Sequence, residues 1–290
     1  MNSGAAIPGR TRVRPCGGTR ESLDGAGESR QGFRRGRPFR GVVRLAAALL
    51  LGGVLSPCAA DRPPASPDAR FAVGDELVGD DFRDGLAQWR TELAEGGTVE
   101  ARDGALVIDV PGGCSVWLAQ VLDGPVLISY EATAIAAGGP NDRVSDLNCF
   151  WMADDARSPG DLFGRPRTGV FADYDQLRCY YVGFGGNANT TTRFRRYIGE
   201  RGNRPLLPEH DLTGAENLLV PNAPQRIQIV AAGSVIAFYH NGRRLFAYDD
   251  PEPYTRGGFA FRTVKSHLRI RDFRVYRLVQ VEGAVPTAKP

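Results

Sequence analysis

Between residues 175 and 197 the chain gathers Tyr180, Tyr181, Asn187, Asn189, Arg193 and Arg195 within what reads as a strand, a glycine-bearing turn and a second strand. Arginine keeps its charge and grips carboxylates through two parallel hydrogen bonds, so this density of donors suits an anionic or heavily hydroxylated ligand. If "TTTRFRRY" is extended, a period of two sets Arg193, Arg195 and Tyr197 on one face and Phe194 and Arg196 on the other. Such a set matches what eliminative cleavage of a uronate chain requires. A cation must neutralise the carboxylate before the adjacent C–H becomes acidic, and a base must then take the proton. Arg193 or Arg195, with Asn148 or Asn189, could do the first; Tyr181, whose pKa should fall beside a cation, or His210 could do the second. The same side chains would serve capture without chemistry, and a row of solvated arginines is the bland alternative.

Positions on neighbouring strands extend the set. In "DLNCFWMADD", if Leu147, Cys149 and Trp151 face inward, then Asp146, Asn148 and Phe150 face outward. The opposite register would turn Trp151 into a stacking platform for sugar C–H faces. Lys265 and His267, near Arg262 on or beside the penultimate strand, offer a further cationic cluster, while His240 before the Asn241-Gly242 turn reads as an exposed turn flank. Hydrolysis by paired carboxylates finds weak support. No E-x-D-x-E strand exists; Asp173-Tyr174-Asp175 is the nearest approach, and Glu209-His210-Asp211 lies in a loop. Transition-metal spacings such as H-x-H or H-E-x-x-H are missing from the sequence.

These residues must be positioned by strands, because the apolar residues fall into short alternating runs such as "GALVIDV", "CSVWLAQVL" and "LRCYYVGFG", punctuated by Gly, Pro and Asp. Gly233-Ser234 and Asn241-Gly242 sit where two-residue hairpin turns need positive φ. Ten to twelve such strands predict an all-β sandwich or jelly roll. Cys114, Cys149 and Cys179 lie in or beside these strands without metal-ligand spacing, and read as small buried hydrophobes.

Ten of the 36 basic residues, against only Glu21, Asp24 and Glu28, lie in the first sixty positions, leaving 26 basic and 30 acidic residues beyond them. That acidic remainder lacks the basic face needed for nucleic acid. The basic stretch, the apolar run from Leu45 to Leu55 and the small residues ending at Ala60 read as an export signal, too short to span a bilayer. The expected organisation is a signal at 1–60, a linker at 61–76, one domain at 77–280 and a tail at 281–290. A periplasmic or extracellular location follows, with lipidation at Cys58 disfavoured by Pro57.

Asp81-Phe82 with Trp89, the strand–turn–strand "VIAFYHNGRRLF" and the closing "GFAFRTVKSHLRIRDFRVYRL" together resemble concanavalin A-like lectin/glucanase jelly rolls. More narrowly, "DYDQLRCYYVGFGGNANTTTRFRRY" and "DPEPYTRGGFAFRTVKSH" resemble a bacterial domain-of-unknown-function family, family 6250, over about residues 78 to 278. The resemblance implies the fold, a concave sheet able to grip a polysaccharide and a carbohydrate partner, with no reaction to carry over. Sandwiches of this type often tie their termini with calcium, for which Asp80, Asp81 and Asp272 are candidates.

Overall fold

The computed structural model describes residues 64–283. The expected export signal lies outside them. Sixteen strands, β1 to β16 in chain order, form two antiparallel eight-stranded sheets. The first runs β14 (Arg243–Asp249), β13 (Val235–His240), β12 (Gln225–Ala232), β7 (Val126–Ala134), β16 (Ser266–Gln280), β4 (Leu106–Val110) and β3 (Thr98–Ala101), with β1 (Phe71–Asp80) also on β16. The second runs β11 (Asp211–Leu212), β10 (Thr191–Ile198), β9 (Leu177–Gly185), β8 (Asn148–Asp155), β15 (Arg256–Thr263), β5 (Cys114–Leu118) and β2 (Trp89–Leu93), with β6 (Leu122–Asp123) on β15. The pairing of chain-distant strands throughout both sheets makes this a concanavalin-like jelly roll.

Alternation sets the layers. Tyr180, Val182 and Phe184 of β9, Trp151 of β8 and Phe194 of β10 enter the inter-sheet core, meeting Ile229, Phe238, Phe261 and Phe273. Their neighbours Cys179, Tyr181, Phe150 and Tyr197 form a second apolar cluster on the outer face of the second sheet. A bulge at Met152, held at φ 51°, lets both Trp151 and Met152 point into the core before Ala153 resumes the outer face. The hairpins at Gly233 and at Asn241-Gly242 form as expected, with φ of 59°, 48° and 80°.

Two expectations change. The fold begins at Phe71 rather than near Leu77, because Phe71 and Val73 alternate onto Leu278 and extend β16 by a full-length partner. His240 is buried rather than exposed. Its Nε2 meets Gln225 Oε1 and its ring lies 4.8 Å from Phe184. Cys114, Cys149 and Cys179 are buried free thiols; burial pushes the thiols of Cys114 and Cys149 up to about 12 and raises that of Cys179 well above its ordinary value.

The outer face of the second sheet is partly roofed by residues 156–176, a loop closed by Ala156 N–H donating to Gln176 O at 3.0 Å. Its Leu162, Phe163 and Tyr174 rest on Trp117 and Phe150. From within this loop the Arg167 side chain, fully buried, pairs with Glu92 at 3.0 Å and Asp155 at 3.2 Å, and Glu92 also accepts from Trp117 Nε1 and Tyr174 Oη.

Candidate functional site

Strand register lines up two rows across the outer face of the second sheet. The first runs Ser115, Arg262, Asn148, Gly183, Arg193 and Asp211, with Gly183 set against Asn148 by continuing the Cys149–Val182 pairing one residue. The second runs Trp117, Ala260, Phe150, Tyr181 and Arg195. Since neighbouring strands lie about 4.8 Å apart, β15 to β10 spans about 14 Å. Gly183 leaves a gap in the first row. A Cβ there would come within 3.1 Å of the Tyr181 hydroxyl. Above the gap opens a cavity of about 290 Å³, walled by Asn148, Tyr181, Arg193, Arg195, Arg204 and Phe171.

Its rim is the β9–β10 turn, where Asn187, Ala188 and Asn189 follow one another at φ of 54°, 57° and 60°. Left-handed backbone costs a side chain-bearing residue about 1–2 kcal/mol, and local bonds offset it here. Asn189 donates Nδ2 to Leu219 O and accepts from Leu219 N–H, both at 2.9 Å. Asn187 Nδ2 donates to Thr191 Oγ1 at 3.1 Å.

The charges are unevenly matched. Arg193 is held bidentately by Asp211, at 2.8 and 3.0 Å, and Arg204 pairs with Asp175 while lying 4.2 Å over the Phe171 ring. Arg195 differs: among the described residues it forms no ion pair and donates only to the Arg204 carbonyl oxygen. Burial draws its guanidinium below its ordinary pKa, with Arg193 and Arg204 adding to the fall. Asn148 is almost fully buried, and its Nδ2 donates to Asp146 Oδ1 at 3.3 Å. Because a carboxylate accepts only, this bond orients the amide, and the buried Oδ1 has no partner among the described residues. An unsatisfied buried acceptor costs about 1–3 kcal/mol.

Tyr181 faces the cavity opposite Arg195, and its hydroxyl makes no hydrogen bond among the described residues. Its expected acidification is reversed. Burial, then Tyr197 and Asp146, push it well above the ordinary phenol value, which Arg262 offsets only in part. The neighbouring Arg193 is already neutralised by Asp211.

The structure therefore brings Asn148, Tyr181, Asn187, Arg193 and Arg195 together, and leaves the other sequence candidates elsewhere. Trp151 packs in the inter-sheet core 5.7 Å from Tyr180, because the inward register won. His210 stands edge-on to Phe194 at 4.8 Å, on the opposite side of β10 from the cavity. Asn189 is spent on Leu219. His267 belongs to the final strand of the first sheet, where Nδ1 meets Asp142 Oδ1 at 2.8 Å; Lys265 is exposed in the turn before it. The calcium candidates do not fit a shared ion. Asp80 spends Oδ1 on Phe82 N–H and Oδ2 on Trp89 Nε1, Asp272 borders a different hollow from Asp80 and Asp81, and no group of three or more His, Cys, Asp or Glu among the described residues is arranged to hold a metal. Gly183 was legible from the β9 alternation. Phe171 opens a single short 3-10 turn and Arg204 lies in a loop, neither long enough to show a period, so nothing in the sequence aims them at the cavity.

A family model described as a domain of unknown function (DUF6250) matches residues 108–273, more than half of the chain. The chain belongs to this family. The matched DUF6250 segment holds every strand that contributes to the cavity. Among solved structures the chain is similar to a protein of unknown function with a galectin-like fold from Bacillus subtilis, at 19% identity and a TM-score of 0.56, covering 73% of this chain and 100% of that one. At that identity the likeness speaks to the fold alone. Lesser similarities are to β-agarase A from Zobellia galactanivorans, at 10% identity, 77% and 98% coverage and a TM-score of 0.49, and to a carbohydrate-binding module, CBM66, from Bacillus subtilis, at 10%, 66% and 96%, and 0.46. No curated protein matches the chain.

Proposed function

We propose that this is an exported carbohydrate-active protein whose cavity over Gly183 captures an acidic sugar unit of a glycan. One observation carries the reading: Arg195, a half-buried guanidinium with no carboxylate partner among the described residues, faces a cavity that Asn148 also lines. A sugar carboxylate would complete Arg195 through two parallel hydrogen bonds. Phe171 and Tyr181 supply apolar surface for the ring's C–H face.

Capture fits the geometry better than cleavage, since the Tyr181 hydroxyl is held protonated by burial and His210 lies behind β10. Elimination remains the second reading, favoured by the unbonded Tyr181 hydroxyl directly across from Arg195. Isothermal calorimetry with polygalacturonate, alginate and hyaluronan, alongside assays of unsaturated-product absorbance and reducing ends, separates the two. Capture gives heat of binding with neither product; elimination gives both products. Arg195→Met should weaken binding about 10–150-fold, the scale of a hydrogen bond to a charged group. Equal binding by Arg195→Met and the parent, or no binding of any of the three glycans, would sink the assignment.

A further inference from the structure

Resting on that reading, we infer that the cavity takes the end of a glycan chain and not a stretch of its interior. An interior segment needs a groove open at both sides, and this one is shut along the row that forms its floor. On the β15 side, Arg262 donates Nη1 to Gly169 O at 2.6 Å, so the roofing loop lies on the sheet at that row. Gly169 packs so closely that a Cβ on it would fall 2.6 Å from Ala94 N and 2.7 Å from Gly113 O. No passage for a sugar remains between loop and sheet there. Along the strands, the cavity ends at Phe171, whose ring is held by Tyr181 at 6.1 Å and lies beneath Arg204 and beside Arg262. Arg204 is fixed in turn to Asp175, and its carbonyl receives Arg195.

This barrier is anchored rather than draped. Arg167, buried between Glu92 and Asp155, pins the loop to β2 and β8, and Tyr174 adds a bond to the same Glu92. Among the described residues, the rest of the cavity wall comes from β10, the β9–β10 turn, the segment before β8 that carries Asp146, and Val264 in the β15–β16 turn. A chain entering past them meets Phe171 with its first unit, which places one terminal sugar against Asn148, Arg195 and the Gly183 gap. At about 290 Å³ the cavity lies at the small end of ligand sites.

Chain length provides the test. Polygalacturonate, alginate and hyaluronan would each be titrated into the intact exported domain by calorimetry, as the parent polymer and as partial acid hydrolysates of decreasing mean length. With end recognition, each chain presents one site. A tenfold shorter chain should then lower the half-saturation point, expressed in uronate units, about tenfold, with stoichiometry tracking the number of chains. A half-saturation point per uronate that is independent of length would overturn end recognition while leaving acidic-glycan capture intact. Failure of every polymer and every hydrolysate to bind would overturn both.

Discussion

At the scale of single residues, the site is defined by imbalance. Three arginines face one cavity, yet Asp211 and Asp175 neutralise Arg193 and Arg204 and leave Arg195 alone. Arg193→Ala should therefore affect binding less than Arg195→Met, because Arg193 already spends its fork on Asp211; paired calorimetric titrations with one acidic glycan would show it. Tyr181→Phe removes only a hydroxyl. A capture protein should lose less than about tenfold in affinity, the scale of one neutral hydrogen bond, whereas an eliminating enzyme would lose turnover at unchanged affinity. Alternation alone was enough to place Arg193 and Arg195 on one face of their strand, with Asn148 outward in one of two registers of its own. It could not reveal that Asp211, eighteen residues further along the chain, reaches back to take up Arg193, because that contact depends on how β11 pairs with β10 and not on any local period.

At the scale of elements, the loop at 156–176 matters as much as the strands it covers. It has few regular hydrogen bonds of its own and is held by a buried ionic cluster, where removing one partner strands the others in a low-dielectric setting. Arg167→Met should lower the unfolding free energy by about 3–5 kcal/mol, measured by denaturant titration, with the largest gain in hydrogen exchange inside residues 156–176. Replacing Arg167, Glu92 and Asp155 together by apolar residues of similar volume should cost much less. The sequence announced strands by their period of two, but a loop that turns an open sheet face into a blind cavity has no period to read. That is why neither this roof nor Phe171 is among the features the sequence points to.

At the scale of the whole molecule, two kinds of buried group should shape stability against pH. Burial holds His210 and His240 below the ordinary imidazole pKa, with Arg243 adding to the effect at His240 and Glu209 opposing it at His210. The unfolded chain then binds protons that the folded one refuses, so their contribution is complete above pH 6.5 or so and shrinks as pH falls below it. At Asp250, burial raises the pKa, but hydrogen bonds from Tyr180 and Arg196 outweigh it and leave the carboxylate below its usual range. Its contribution holds above about pH 4 and disappears as pH drops through the lowered value. Thermal melts between pH 3 and 8 should show a shallow decline below pH 6.5 and a steeper one below pH 4. His210→Phe combined with His240→Gln should flatten only the first.

The three free thiols among the described residues give the protein an internal clock. Buried and strongly protonated, none can react with an alkylating reagent until something opens. Cys114 and Cys149 sit between the sheets and are released only when the sandwich comes apart, whereas Cys179 lies in the outer cluster beneath the roofing loop. Labelling of Cys179 ahead of the other two would time the lifting of that loop, and simultaneous labelling would mean that roof and sandwich open as one.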